Sequence, residues 1–379
     1  MTSSPAKSVS DSGAGAGRTN LLGLDRDGLQ GFFAGMGEKP FRAKQLLQWI
    51  YQRGVYDFDA MTDLSRGLRE RLSAQARIEL PRAIFDQRSV DGTRKWLLSL
   101  DGGNAIELVF IPEARRGTLC VSSQVGCALD CSFCSTAQQG FARNLTAAEI
   151  VGQVLYAVDA LAAEGEGRRV TNVVFMGMGE PLLNMEQVLP AVALLTEDYG
   201  LCLSRRRVTI STSGIVPALR RLADRTQISL AVSLHAANNA LRDELVPINR
   251  KYPLEQLMPA CRDYAARTPH RRITWEYVML DGVNDSDADA DDLARLLGDI
   301  PSKINLIPFN PFPGARYRCS SKRRIELFSE RLYRAGFTVT VRRTRGDDID
   351  GACGQLVGRV QDRTRRQFRA ERGEEVTGA

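Results

Sequence analysis

The most informative segment of the sequence is Cys127-Ala-Leu-Asp-Cys131-Ser-Phe-Cys134, in which three cysteines follow the spacing C-x3-C-x2-C. Iron–sulfur clusters are usually held by four thiolates, and structural zinc ions by four ligands. This loop offers only three, so a cubane bound here keeps one iron open for a ligand that is not protein. The pattern predicts a [4Fe-4S] cluster held by Cys127, Cys131 and Cys134. The alternatives are a structural zinc loop and three unrelated buried thiols.

The open iron of such a cluster suits S-adenosylmethionine, which can bind it through its amino and carboxylate groups. Reduction of the cluster can then break the sulfonium bond and release a carbon radical. The cofactors supply this chemistry, and the protein positions them. Phe133 stands between two of the cysteines, where it can cover the cluster and tune its reduction potential.

The composition is that of a soluble globular protein, with 379 residues of which 43% are hydrophobic and 25% are charged. The sequence shows no apolar run long enough to span a bilayer and no apolar core of a secretory signal. Eight cysteines in so long a chain indicate a reducing cytoplasm rather than a disulfide scaffold. The net charge of +6 fits a polyanionic partner without identifying one.

The sequence pattern divides the chain into five parts. Residues 1–20 are small and polar and predict a disordered tail, while residues 21–80 predict short helices with a basic surface. Residues 81–112 alternate and contain Asp-Gly pairs, which predicts a short antiparallel β extension. Residues 113–345 predict the main domain, and residues 346–379 a cysteine-containing loop with an Arg-rich tail.

Strands and helices alternate throughout the main domain. Such alternation gives parallel strands covered by helices, with ligands at the carboxyl ends of the strands. Six units predict an α/β fold, an open (β/α)6 partial barrel. The predicted strands are 118–123, 171–177, 207–212, 228–234, 272–279, 303–308 and a last strand at 337–343. The predicted helices are 147–163, 186–197, 216–224, 254–267, 288–298 and 321–335.

Polar side chains stand where several of these strands end. Glu180 follows the second strand in a glycine-rich turn that lets a ligand approach the backbone, and its charge suits an ammonium group. Ser211 ends the third strand, where it can hold a carboxylate or ribose or simply cap the next helix. His235 ends the fourth strand, and Asn310 follows the sixth, where its amide can read an adenine edge.

Glu107, Cys120 and Cys353 have no role that the local sequence settles. Glu107 lies in the strand AIELVFI, where a carboxylate either faces outward or is buried as an acid or base with a raised pKa. Cys120 lies on the first barrel strand and Cys353 in the loop RGDDIDGACG. Taken separately, each of the two cysteines is read as an inert thiol.

Together these motifs resemble the RlmN family of radical-SAM RNA methyltransferases. The resemblance is carried by SQVGCALDCSFCSTAQQGFARNL, GMGEPLLN, STSG, SLHA, NLIPFNPFPG and TRGDDIDGACGQL, and it covers about residues 21–358. Gly351 is the one visible departure in these motifs, where the family is expected to have alanine. The resemblance implies methylation of C2 of adenosine 2503 in 23S rRNA, at the peptidyl transferase centre, and of adenosine 37 in tRNA, next to the anticodon.

The resemblance also implies a role for each site residue. C2 of adenine is electron-poor and cannot attack a methyl sulfonium, so its methyl carbon must arrive as a radical. Cys353 receives a methyl group from a first S-adenosylmethionine, and cleavage of a second activates it, so two are used per turnover. Glu107, alone or together with Cys120, removes the C2 proton. Cys120 then releases the RNA through a transient disulfide with Cys353. The implied cofactor contacts are Gly179, Glu180, Ser211, Ser233, Leu234, His235 and Asn310.

The implied partners are 23S rRNA, tRNA and an external flavodoxin- or ferredoxin-like reductase, with the enzyme itself a monomer in the cytoplasm and away from membranes. We expect the basic N-terminal helices and the Arg-rich stretch 359–372 to hold the RNA backbone. Three alternatives stay open. The sister family Cfr methylates C8 of the same rRNA adenosine by the same cysteine chemistry. An RNA-binding protein with a structural metal site would need no Cys353, and a radical-SAM activase of a protein glycine would leave the cysteine pair unused.

Overall fold

The computed structural model describes residues 17–165, 169–268 and 272–362. Most of the predicted tail, residues 1–16, lies outside the described residues, as does the larger part of the Arg-rich stretch, from residue 363 onward. Strand β1, Thr19–Asn20, pairs in parallel with β2, Ala76–Arg77. The N-terminal unit therefore begins before the predicted boundary at residue 21.

The N-terminal unit is helical, as the sequence predicts. Its helices are α1, Arg26–Gly35, α2, Phe41–Leu47, and α3, Arg66–Gln75. Asp25 begins α1 because its carboxylate accepts a hydrogen bond of 2.9 Å from the backbone N–H of Gly28. The predicted amphipathic segment Phe41–Tyr51 is α2 continued by a π-helical turn, and its apolar face is buried in the common core.

Across the described residues, ten strands form one sheet that runs from the N-terminal extension to the last strand of the barrel. Their order is β14-β13-β12-β11-β10-β9-β6-β5-β4-β3. The strands are β3, Arg82–Arg88, β4, Arg94–Ser99, β5, Ala105–Pro112, β6, Gly117–Cys120, β9, Asn172–Phe175, β10, Val208–Thr212, β11, Ser229–Ser233, β12, Ile273–Met279, β13, Ser302–Pro308, and β14, Thr338–Val341. A separate hairpin is formed by β7, Gln124–Gly126, and β8, Phe141–Asn144.

The predicted partial barrel is confirmed, and each predicted strand and helix of the main domain is present. The helices at 147–163 and 254–267 have the predicted bounds, and the bounds of the other elements differ slightly. Pairing from β6 through β9 to β14 is parallel, while β3, β4 and β5 pair antiparallel. The β extension continues the barrel sheet, because β5 pairs antiparallel with β6. It therefore reaches the carboxyl ends of the barrel strands, where the site is expected.

Helices occupy the connections between the barrel strands. They are α4, Ser135–Gln138, α5, Ala147–Ala163, α6, Met185–Thr196, α7, Val216–Arg225, α8, Asn239–Leu245, α9, Leu254–Arg267, α10, Asp287–Leu297, and α11, Lys322–Arg334. A capping box of Thr146 and Glu149 begins α5, which explains why the sequence places this helix so accurately. None of the described helices has the length and apolar character needed to cross a membrane.

Candidate active site

The cysteine loop lies between β7 and β8 and is held at several points of its backbone. The N–H of Cys127 donates to the carbonyl of Gly140 at 2.8 Å, and the N–H of Ser132 donates to the carbonyl of Leu245 at 3.2 Å. Burial raises the pKa of Cys131, and the neighbouring Cys127 and Cys134 raise it further. The three thiols are thus close enough to repel one another as thiolates.

The loop fits a cluster better than it fits a single ion. In the described part of the chain, no three His, Cys, Asp or Glu side chains are arranged to hold one metal ion. Each thiolate of a cubane holds a different iron, so its ligands surround the cluster instead of converging on one point. Cys134 lines a cavity beside the loop, which gives the open iron a space to face.

This cavity, of about 150 Å³, collects most of the predicted cofactor contacts. We call the side formed by the ends of β9, β10 and β11 the cofactor wall. Its members on the cavity surface are Gly179, Glu180, Ser211, Ser213, Ser233 and His235. Asn310, which follows β13, also lines the cavity. Leu234 does not line it; this residue is buried behind the wall, with its N–H bonded to the carbonyl of Glu276.

Backbone groups fix the carboxylate of Glu180 within the cofactor wall. One oxygen accepts from the N–H of Leu182 at 3.0 Å and the other from the N–H of Ser213 at 2.7 Å. Burial raises the pKa of Glu180, and these hydrogen bonds act against that rise. Gly179 has φ +97°, and a Cβ there would lie 2.4 Å from the Cβ of Gln124. The wall is therefore tight and acidic, which suits the ammonium group of S-adenosylmethionine.

His235 is held in the left-handed region at φ 62°, and its ring packs edge-on against Phe133 with centroids 4.5 Å apart. Its Nδ1 accepts a hydrogen bond of 3.0 Å from the N–H of Val278. Burial, and then the charge of Arg242, lowers the pKa of His235 to about 3. The ring is neutral, so its proton lies on Nε2, which is a donor for a bound ligand.

Cys353 lies at the junction of this cavity with a second cavity of about 410 Å³. The guanidinium of Arg342 is 3.2 Å from its Sγ, and Asn310 donates to its carbonyl at 3.2 Å. Cys120 lines the second cavity and interacts electrostatically with Cys353. Burial and then Cys353 raise the pKa of Cys120 to about 12, although Arg342 opposes the rise. The fold thus brings together two thiols 233 positions apart in the chain.

Glu107 lies beneath the segment that follows Cys353 and not on the lining of either cavity. One of its oxygens is 3.3 Å from the ammonium of Lys95, and the other accepts from the N–H of Val357 at 3.0 Å. Burial raises the pKa of Glu107, and Lys95 provides the largest opposing effect. A buried carboxylate with a raised pKa can act as a proton acceptor.

Glu276 and Arg342 line both cavities and were missed by the sequence reasoning. Glu276 is buried, 3.9 Å from Arg342, and accepts a hydrogen bond of 3.0 Å from Asn305. A lone carboxylate in the apolar strand ITWEYVM was the available signal for it. No feature of the local sequence indicated that Arg342 belongs to the site. We call the set of Glu107, Cys120, Glu276, Arg342 and Cys353 the transfer wall.

The chain is similar to known proteins in both its N-terminal unit and its barrel. Residues 19–78 match the family model described as the ribosomal RNA large subunit methyltransferase N-terminal domain, and residues 121–294 match that of the radical SAM superfamily. A curated relative from Alkalilimnicola ehrlichii, named dual-specificity RNA methyltransferase RlmN, is 67% identical over 92% of this chain and 97% of its own length. The chain belongs to the RlmN family.

Two further relatives extend the comparison. A second RlmN, from Halorhodospira halophila, is 60% identical over 92% of this chain and 96% of its own length. The crystal structure of a radical SAM methyltransferase from Sphaerobacter thermophilus has a TM-score of 0.83 at 45% identity, covering 89% of this chain and 99% of that one. Enzymes of the RlmN family use a [4Fe-4S] cluster and S-adenosylmethionine as cofactors.

Proposed function

We propose that this chain is a radical SAM methyltransferase that methylates C2 of adenosine 2503 in 23S rRNA and of adenosine 37 in tRNA. Membership of the RlmN family supports an RNA substrate. The observation that carries the proposal is the position of Cys353, which stands between the cofactor cavity and the second cavity within reach of Cys120. A methyl carrier has to lie at this position, because it must reach the cofactor on one side and the adenine of the RNA on the other.

The residues of the chain divide the work. When bound at Cys127, Cys131 and Cys134, the cluster with S-adenosylmethionine supplies the methyl group and the radical that activates it. Cys353 acts as a thiolate, whose sulfur forms a bond to the methyl carbon while the sulfonium bond breaks and its electron pair leaves with the departing sulfur. Arg342, 3.2 Å from that sulfur, stabilises the thiolate before the transfer.

Glu107 and Cys120 complete the reaction on the RNA side. The carbon bridge between Cys353 and the adenine forms as a radical adduct, which must lose one electron and the C2 proton. The electron is returned to the cluster, and Glu107 accepts the proton. Cys120 then attacks the sulfur of Cys353. A disulfide forms, the bond from that sulfur to the carbon bridge breaks, and the electron pair stays with the carbon, which becomes the methyl group on taking up a proton. An external flavodoxin- or ferredoxin-like reductase provides electrons to the cluster.

The second cavity supports entry of an unstacked adenosine, since C2 is inaccessible inside a helix. Basic side chains line it, namely Arg116, Lys303, Arg342, Arg343 and Arg345. In this proposal residues 21–80 are an RNA-binding accessory domain and residues 113–345 the barrel. Part of the charge of that accessory domain is offset internally, because Arg42 and Arg71 both pair with Glu38. We further propose a monomer working in the cytoplasm.

The test is nucleoside mass spectrometry on unmodified 23S rRNA and tRNA after anaerobic reaction with the reconstituted enzyme. We expect 2-methyladenosine in both RNAs, and its loss with Cys353→Ala. Cys202→Ala is the matched control, because Cys202 is exposed and lies outside the site. An 8-methyladenosine product would instead assign the Cfr reaction. Cleavage of S-adenosylmethionine without any methylated adenosine would contradict the proposed substrate.

A further inference from the structure

Arg242, on α8, is a fully buried guanidinium whose partners are almost all backbone carbonyls. Its Nη2 donates to the carbonyls of Ser213 at 2.8 Å and Ser233 at 3.2 Å, and its Nε to the carbonyl of Leu234 at 3.2 Å. Its Nη1 donates to the side chain of Asn249 at 2.7 Å. These contacts engage all three nitrogens of the guanidinium and tie the end of β10 to the end of β11.

The charge of Arg242 has no direct counter-ion in the part of the chain that the structure describes. Its relative exposure is 0%, and no carboxylate there lies within ion-pairing distance of it. Asp243 is reached only through Asn249, which donates to that carboxylate at 2.6 Å. Burying an unpaired charge is costly, so proteins rarely keep one without a compensating group. The fold therefore retains here a positive charge that its own carboxylates do not neutralise directly.

The position of that charge points to the cysteine loop. Ser213, whose carbonyl accepts from Arg242, also interacts through its side chain with Cys131. Leu245, the last residue of α8, accepts a hydrogen bond from the N–H of Ser132 in the same loop. Burial lowers the pKa of Arg242 to about 10, and Cys131 is the first of the neighbours that raise it. The guanidinium thus stands directly behind a cluster ligand.

We propose that Arg242 is a positioning residue for the cluster, whose buried charge offsets the negative charge of the bound thiolates and raises the reduction potential. Reduction adds an electron to a group that its thiolates already make negative, so a nearby positive charge stabilises the reduced form more than the oxidised form. This inference rests on the proposed function, because it requires a cluster at Cys127, Cys131 and Cys134. It goes beyond that function by assigning the charge that sets the potential.

A purely structural role predicts different behaviour, and two substitutions separate the possibilities. Arg242→Lys keeps the charge but cannot make the four hydrogen bonds. Arg242→Gln keeps part of the hydrogen bonding and removes the charge. Arg250→Gln is the matched control, since it removes a nearby exposed positive charge. Asp243→Asn removes the closest negative charge and should shift the potential in the opposite direction from Arg242→Gln.

The experiment is an anaerobic redox titration of the reconstituted full-length proteins, with the reduced cluster followed by electron paramagnetic resonance. At the wild-type midpoint, we expect Arg242→Gln to lower the reduced-to-oxidised ratio at least tenfold, which is about 59 mV for a one-electron couple. Arg242→Lys should stay within threefold of wild type, and Arg250→Gln should not differ from it. Asp243→Asn should raise the ratio.

The outcomes are distinct. Equal shifts in Arg242→Lys and Arg242→Gln, or a wild-type midpoint in Arg242→Gln, would overturn the inference. If Arg242→Gln assembles no cluster, retention of the cluster at a near-wild-type potential by Arg242→Lys still supports the role of charge, and loss in both contradicts it. Failure of the wild-type chain to assemble a cluster with three cysteine ligands would instead remove the proposed function. If the wild-type enzyme methylates RNA and Arg242→Gln has the wild-type reduction potential, only this inference is contradicted and the proposed function stands.

Discussion

The two walls of the active site are held by different kinds of contact. On the cofactor wall, polar side chains accept hydrogen bonds from nearby backbone. Glu180 accepts from the N–H of Leu182, two residues along the chain, and from the N–H of Ser213, which follows β10. On the transfer wall, side chains from different strands and loops contact one another directly. Lys95 pairs with Glu107, and Arg342 contacts both Glu276 and Cys353.

This difference predicts how each wall fails. The cofactor wall is part of the barrel itself, so a change there should reduce stability and cofactor binding together. The transfer wall depends on the segment after β14, which docks through the carbonyl of Gly354 on the N–H of Ser135 and through Leu356 on Thr136. A change there should slow the transfer of methyl to RNA while S-adenosylmethionine is still bound and cleaved.

The largest effect is expected from Glu107→Gln. The amide keeps the size of the side chain but cannot accept the C2 proton, and positioned general bases contribute roughly 10²- to 10⁴-fold to rates. We expect a loss of that size in single-turnover methylation, measured by nucleoside mass spectrometry, with cleavage of S-adenosylmethionine retained. Glu186→Gln is the control, because Glu186 pairs with Arg221 on the surface. A wild-type methylation rate in Glu107→Gln would show that Glu107 is not the group that accepts the C2 proton.

A smaller loss is expected from Arg342→Met, measured at the sulfur itself. The guanidinium lies 3.2 Å from the sulfur of Cys353, and a hydrogen bond to a charged group is worth about 1.5–3 kcal/mol. We therefore expect iodoacetamide to alkylate Cys353 roughly tenfold more slowly at pH 7 in the cluster-free protein. Exposed Cys202 serves as the internal reference in the same peptide mass spectra. Arg342→Lys should restore part of the rate, and equal alkylation in all three proteins would refute the contact.

The sequence was sufficient for the barrel because each strand and helix there is long enough to show its own period. Helix α5, with a capping box at its start, was predicted to the residue. The β7–β8 hairpin was missed, since strands of three and four residues show no reliable alternation. The joining of the β extension to the barrel sheet was also invisible, because pairing between β5 and β6 is a tertiary choice.

The sequence located the site residues that directly follow a strand. It did not locate those whose position depends on strand register or on tertiary contacts. Lys95 meets Glu107 because the β4–β5 register pairs Leu97 with Glu107, which puts Lys95 diagonally opposite on the same face. The turn residues between β4 and β5 do not determine this register by themselves, so the sequence could not predict the contact. Arg242 was hidden for another reason, since an arginine within ALRDEL is typical of an exposed helix face.

The cofactor wall can be tested by Gly179→Ala, with Gly336→Ala as a closely matched control. Both glycines have a positive φ, +97° and +92°, but only at Gly179 would a Cβ meet another residue, at 2.4 Å from Gln124. The alanine pair thus separates backbone strain from overpacking, which costs typically 1–3 kcal/mol. We expect chemical denaturation to show Gly179→Ala less stable by about that amount than Gly336→Ala, together with weaker S-adenosylmethionine binding. Equal stability of the two variants would mean that the cofactor wall shifts enough to accommodate the Cβ added at Gly179.

The last prediction concerns the pH dependence of the transfer wall and uses Lys95→Met. Burial raises the pKa of Glu107, and the ammonium of Lys95 is the main group that counters this rise. Without it the pKa of Glu107 rises further, so the carboxylate becomes protonated at a higher pH and can no longer act as a base. The acid limb of the methylation rate should therefore move to higher pH, with activity recovering as the pH is raised. If Lys95 only supports the fold, the rate should fall equally at every pH and the limb should stay in place. Cleavage of S-adenosylmethionine, followed in the same samples, should keep its wild-type pH profile, because the groups that hold the cofactor wall do not include Lys95.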